Sequence, residues 1–185
     1  MSTWTLDPAH SQIEFAVKHM MVTTVRGQFR KFTTEVDFDE EHPERSSVVA
    51  HIDASSIETG MEARDAHLKS ADFLEADAYP ELTFRSTSIV ASGQGYKING
   101  DLTIRGQTRP VTLDAEIGGV VPNLQGGRRA GFNATIKISR KAWGLTWNQV
   151  LEAGGWAVSD EIKISLDIAA LQADAAPEKA DATVA

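Results

Sequence analysis

Apolar and polar residues alternate along this chain in segments of about eight to ten residues, the mark of strands with one dry and one wet face. Near the start, Ile13, Phe15 and Val17 are spaced by Gln12, Glu14, Ala16 and Lys18. Near the end, Ile162, Ile164, Leu166 and Ile168 are spaced by Lys163, Ser165 and Asp167. Strands of this kind must curl around a shared apolar interior, so the pattern predicts an all-β fold. What is left to ask is whether that interior is solid or holds a guest.

Eight strands are expected. The first region covers Trp4–Asp7 and Ser11–His19, interrupted at Pro8. Residues 20–25 read as a short helical turn. The second strand covers 29–38, where Phe32, Thr34, Val36 and Phe38 share a face. Phe29 is out of phase with them, which places a bulge near Arg30-Lys31. The third covers 46–53, with Val48, Ala50 and Ile52 in phase. Residues 59–76 break the alternation. Thr59-Gly60-Met61-Glu62 has the form of a capping box, and Met61–Lys69 reads as a helix. Ser70 then caps a further turn that sets Phe73 and Leu74 against the strands. From Pro80 the chain meanders through strands at 82–90, 96–105, 111–118, 128–139 and 161–169. The connection 140–159 carries Trp143, Trp147 and Trp156. Strands at this spacing, with turn signals between them, predict an antiparallel eight-stranded barrel or a sandwich. Residues 1–172 form the domain. The Ala-rich, acidic segment 173–185 has too little apolar mass to pack and reads as a flexible tail.

Composition narrows the function. The chain has 185 residues, no cysteine and a net charge of −8. Disulfides and thiolate metal sites are therefore excluded. The acidity speaks against nucleic acid, which needs a basic face. No apolar run approaches the roughly 20 residues of a membrane helix. The first residues show no basic region followed by an apolar one, so the chain as given reads as cytoplasmic.

Eight antiparallel strands make a barrel just wide enough to be filled by side chains or to hold one small ligand. Ala50, Gly100, Ala115, Ala130 and Ala134 fall in phase with the large apolar residues. Small inward residues either leave volume or fit the taper of a filled barrel. His19 continues the inward parity of Ile13, Phe15 and Val17 toward a strand end.

Three motifs carry a family resemblance. Leu6-Asp7-Pro8-Ala9-His10-Ser11, followed by Phe15, Val17 and His19 and then Val25-Arg26-Gly27-Gln28-Phe29, resembles the opening of the YceI-like family. Arg64-Asp65-Ala66-His67-Leu68-Lys69-Ser70-Ala71-Asp72-Phe73, leading to Tyr79-Pro80 and Phe84, is similar to its middle. Gly100-Asp101-Leu102-Thr103-Ile104-Arg105-Gly106 matches as well, and the resemblance covers residues 3–171. It implies a lipocalin-like barrel whose elongated apolar pocket binds polyisoprenoids or similar long-chain lipids. The lipid is then expected against the inward row: Ile13, Phe15, Val17, Phe38, Phe84, Leu102, Phe132, Ala134, Ile136 and Ile164. The resemblance further implies a homodimer, with a periplasmic location as the alternative to a cytoplasmic one. The tail and the Trp-rich connection do not map onto the family pattern.

The polar residues admit two readings. On a helix, Arg64 and His67 share a side at i, i+3. Together with His19 they are expected to hold the polar head of the ligand, since arginine makes bidentate contacts to phosphate. In the other reading, Arg64 and Asp65 pin the helix to the barrel end. Trp143, Trp147 and Trp156 either line the pocket mouth, bury as a lid or take a simple core role. Two rival functions are a histidine- or metal-dependent enzyme built on His10, His19 and His67, and an interaction module with a filled core. The chain contains neither H-E-x-x-H nor G-x-S-x-G. The reading adopted is non-catalytic lipid binding, without cofactor or metal, for carriage, storage or sequestration.

Overall fold

Proline cannot donate to a strand ladder, and Pro8 splits the first long strand in two. The computed structural model describes residues 2–124, 126–152 and 154–172; the expected tail lies outside them. The elements in chain order are β1 (Ser2–Leu6), β2 (Gln12–His19), β3 (Thr23–Phe29), β4 (Phe32–Phe38), β5 (Ser47–Asp53), β6 (Ile57–Glu58), α1 (Glu62–Lys69), β7 (Glu81–Ser92), β8 (Gly95–Ile104), β9 (Gln107–Pro122), β10 (Arg128–Ser139) and β11 (Val158–Gln172).

Six of the segments join in pairs to make three long strands. β1 and β2 both run antiparallel to β11, the first at Leu171 and Ala170, the second from Asp167 to Val158. β4 and β3 continue each other along β1 and β2. β5 and β6 do the same along β4 and β3. With β7 to β11 this gives eight antiparallel strands, and the pairing of β1/β2 with β11 closes them into a barrel.

Each break is repaired by polar groups. At Pro8 the Asp7 N–H donates to the Ala169 carbonyl at 2.8 Å. The Ser11 hydroxyl donates to the Asp7 carbonyl at 2.7 Å and accepts from the Ala169 N–H at 3.0 Å. At Arg30-Lys31, where the bulge was expected, the strand opens. There the Arg30 N–H donates to the Ser56 carbonyl and the Lys31 N–H to the Ser56 hydroxyl, both at 3.1 Å. The three-residue step lets Phe29 and Phe32 both pack on the core.

Two local expectations are corrected. Residues 20–25 are not helical: Met20–Val22 form a tight turn and Thr23 already pairs with His19. The capping box does not form either. Met61 is the N-cap and offers no side-chain bond. Thr59 is instead captured from within the helix by Asp65, which accepts from its N–H at 2.8 Å and from its hydroxyl at 2.5 Å. The carboxylate reaches back one turn further than the capping-box Glu62 does.

The core has two parts. Trp4, Phe38, Ala130 and Ala170 are buried together, with Phe132 packed on them. Edge-on aromatic contacts link Trp4 to Phe38 at 5.9 Å and Phe38 to Phe132 at 5.1 Å. The larger cluster joins Ile13, Ile52, Leu82, Phe84 and Leu102 to Phe73 and Leu74 from the segment after α1. Trp143 is buried in it, and its indole N–H donates to the Leu102 carbonyl at 3.1 Å.

Candidate functional site

Inward rows from all eight strands surround a cavity of about 280 Å³, near the lower end of the range for small-molecule pockets. Ile13, Phe15, Val17, Phe38, Phe84, Leu102, Phe132, Ala134, Ile136 and Ile164 all border it. Alternation puts them there: each faces inward because its strand neighbours face out.

The small inward residues divide. Ala50, Ala115 and Ala134 border the cavity and help keep it open. Gly100 does not leave space. A Cβ there would lie 2.5 Å from the Phe84 ring, so the ring fills the room that the glycine vacates. Gly27 is likewise covered by Phe15, whose ring would come within 2.3 Å of a Cβ. Ala130 is fully buried in the Trp4 cluster and does not border the cavity.

Two polar side chains border the cavity in ways that bear on its chemistry. Thr34 Oγ1 is buried and is the one such side-chain atom without a hydrogen-bond partner among the described residues. It belongs to the Phe32–Phe38 row, where alternation alone placed it, but nothing in the sequence marked it as unanswered. Arg140 is 2% exposed. Its Nε donates to the Ser159 carbonyl at 2.9 Å, and its Nη1 to the Leu145 and Trp147 carbonyls at 2.6 and 2.8 Å. Burial pushes its pKa down, opposed by the Asp160 carboxylate. The guanidinium thus ties the long connection 140–159 to the end of the barrel.

None of the three residues expected at a polar mouth, His19, Arg64 and His67, borders the cavity. His19 ends β2 opposite Thr23 and Val158. Arg64 turns back on its own chain, with Nε donating to the Thr59 hydroxyl at 2.7 Å and Nη2 to the Thr59 carbonyl at 3.0 Å. His67 pairs with Asp72 at 2.9 Å. Its ring stands edge-on to Phe73 and Trp147, with centroids 5.0 and 4.6 Å apart. The motif fastens α1 to β6 and to the turn after it, which brings Leu68 and Phe73 to the cavity. Of the tryptophans, Trp143 is core and borders the cavity, Trp147 is half-buried beside His67, and Trp156 is 54% exposed.

Among the described residues no three His, Asp or Glu side chains group as metal ligands. His10 is held by Asp7 at 2.9 Å, apart from His67 and its Asp72 partner. No described helix is long and apolar enough to cross a membrane.

A closed antiparallel barrel wrapped around an apolar cavity places the molecule among hollow antiparallel β-barrels. More narrowly, the chain belongs to the YceI-like family, whose domain model matches residues 4–170. A UPF0312 protein of Staphylococcus aureus strain USA300 is 40% identical over 164 residues, covering 88% of this chain and 94% of that protein. Among solved structures, Burkholderia cenocepacia BcnA superposes with a TM-score of 0.76 at 27% identity, covering 89% of this chain and 98% of that one. The YceI protein of Campylobacter jejuni gives 0.73 at 30%, over 84% and 89%. A domain from Saccharophagus degradans described as polyisoprenoid-binding gives 0.60 over 92% and 98%; at 12% identity it shares the fold alone.

Proposed function

We propose that the protein binds one long-chain lipid in the barrel, a polyisoprenoid, an isoprenoid quinone or a precursor of either, and carries, stores or sequesters it without chemical change. The observation that carries this is the cavity: about 280 Å³, bordered by apolar side chains from all eight strands. The polyisoprenoid-binding description of the Saccharophagus degradans domain, which has the same fold, supports the choice of lipid. The mechanism is physical. Each CH₂ leaving water contributes about 0.8 kcal/mol by transfer bookkeeping, while ligands of this size realise nearer about 0.3 kcal/mol per heavy atom.

Solvent extraction of the purified protein followed by mass spectrometry tests the proposal. A prenyl lipid or quinone in near-stoichiometric amount is the expected result; an empty protein that also fails to take up such lipids on mixing rejects it. Ala134→Trp is expected to occupy the cavity and abolish uptake, at a stability cost of about 1–3 kcal/mol for overpacking. Unchanged uptake by the folded variant would place the lipid elsewhere.

A further inference from the structure

We propose that the Met20–Met21–Val22 turn and the adjoining Val150, Gly155 and Trp156 form a tip that docks the protein on an anionic lipid bilayer. The purpose assigned to it, transfer of lipid between bilayer and cavity, rests on the lipid-binding reading above; the docking itself does not.

Five large apolar side chains stand exposed together here. Met21 is 69% and Val22 78% exposed, and Met20, Val150 and Trp156 are exposed as well. The two segments touch. The Met20 N–H donates to the Ala157 carbonyl at 2.8 Å, and Met21 lies so close on Gly155 that a Cβ there would sit 2.6 Å from its sulfur. Val150 pairs with Trp156 across the loop. The other exposed large apolar residues, Met61, Tyr79, Val90, Val121 and Leu124, lie on other elements. Contiguous exposed apolar surface of this kind marks an interaction site.

The backbone strengthens the case. Met20 and Met21 have φ of +48° and +65°. Glycine or asparagine takes such positions at little cost, and methionine does not. The turn therefore carries apolar side chains where its geometry favours small or polar ones, so their apolar character answers to something other than the turn.

The chemistry of the tip selects a bilayer. Lys141 Nζ lies 5.9 Å from the centre of the Trp156 ring. Tryptophan with lysine is the side-chain pair favoured at a membrane interface, the ring at the headgroups and the ammonium among their phosphates. Four cations, Lys18, Lys137, Arg140 and Lys141, stand beside the tip against three carboxylates, Glu152, Asp160 and Glu161, of which Glu161 pairs with Lys137 and Asp160 accepts from Ser139 and from the Lys141 N–H. In a chain of net charge −8, this end thus offers lysine to an anionic surface. The tip also adjoins the cavity. Val17 and Val158 border it on the strands that lead into the tip, and Val158 pairs with His19 at the base of the turn.

Flotation of the full chain with vesicles tests the proposal. The wild type should rise with phosphatidylglycerol–phosphatidylcholine vesicles and do so less with phosphatidylcholine alone. The combined variant Met21→Asn, Val22→Ser, Trp156→Ser should lose at least tenfold in partition with no fall in melting temperature. Lys18→Glu with Lys141→Glu, which leaves the apolar tip in place, should lose the preference for phosphatidylglycerol. The proposal is overturned if the wild type stays at the bottom of the gradient, or if the combined variant floats as well as wild type. It is overturned too if light scattering shows that variant turning a dimer into a monomer while neither form floats, since the face then joins two copies. Flotation by a protein that yields no lipid on extraction and takes none up would sustain the docking and reject the lipid-binding reading alone.

Discussion

The first long strand is broken at Asp7–Ser11 and ends at Met20–Val22, and the two places are built oppositely. At Asp7–Ser11 polar groups are buried and answered by their own chain. The Asp7 carboxylate accepts from the Ala9 N–H at 3.1 Å, from His10 at 2.9 Å and from Arg129 at 2.8 Å. At Met20–Val22 apolar groups are exposed, on backbone that holds two non-glycine residues in the left-handed region. A buried polar group that its own chain satisfies holds the fold together. An exposed apolar group that no described residue covers is available to something else.

The largest expected effect bears on the first half of that contrast. Asp7→Ala leaves Arg129, His10 and the Ala9 N–H without their acceptor and should cost about 2 kcal/mol, in the range for hydrogen bonds to a charged group. Chemical denaturation measures it, and a loss near zero would show that the break at Pro8 does not depend on this carboxylate.

Acid should act on the same group. Burial pushes the Asp7 carboxyl up, but the hydrogen bond and charge of His10, the Ala9 N–H and Arg129 outweigh it, so the folded pKa lies below the ordinary value. A depressed carboxyl contributes stability that is present above its unfolded pKa and lost as pH falls through the folded one. Melting temperature should therefore decline below the ordinary carboxylate range, and Asp7→Asn should flatten part of that decline. The parts due to Asp39, Asp53 and Asp160, also lowered, should persist. An unchanged slope in Asp7→Asn would contradict the assignment.

Arg64 extends the comparison to a second answered group. Arg64→Met removes its bonds to Thr59 and should cost about 1 kcal/mol. Affinity for a prenyl phosphate and for an uncharged prenol should be equally unaffected. A tenfold loss confined to the phosphate, which is 1.4 kcal/mol, would make Arg64 a ligand contact.

The smallest effect concerns the strained turn. Met21→Asn should gain up to about 1 kcal/mol, since left-handed backbone costs an ordinary residue about 1–2 kcal/mol. A clear loss in thermal unfolding would mean that the Met21 side chain packs for stability, and the contrast between the two turns would fail there.

Much of the barrel was legible because a strand repeats every two residues. Once Ile13, Phe15 and Val17 are read as one face, their direction follows whatever the neighbours are. The same rule put Phe132, Ala134 and Ile136 on the cavity, and it put Thr34 in the inward row. The helix in 59–76 was visible from the loss of that period, and the strand break at Arg30-Lys31 from the phase slip after Phe29.

What alternation cannot express is the identity of the residue across the way. Gly100 and Ala134 are both small and inward, yet one is covered by the Phe84 ring and the other borders open space; the difference lies in a side chain from another strand. Thr59 and Glu62 are spaced for a capping box, but Asp65 stands closer to Thr59 in space and takes it. Trp143 finds its acceptor at Leu102, 41 residues away. The exposure of Met20 to Val22 likewise depends on how Gly155 and the paired Val150 and Trp156 sit beside the turn. The sequence by itself determined which way side chains point, because that is set by the local backbone. The tertiary structure decided which volumes stay empty, which polar groups are answered and which apolar ones are left uncovered. Those are properties of pairs of groups brought together only when the barrel closes.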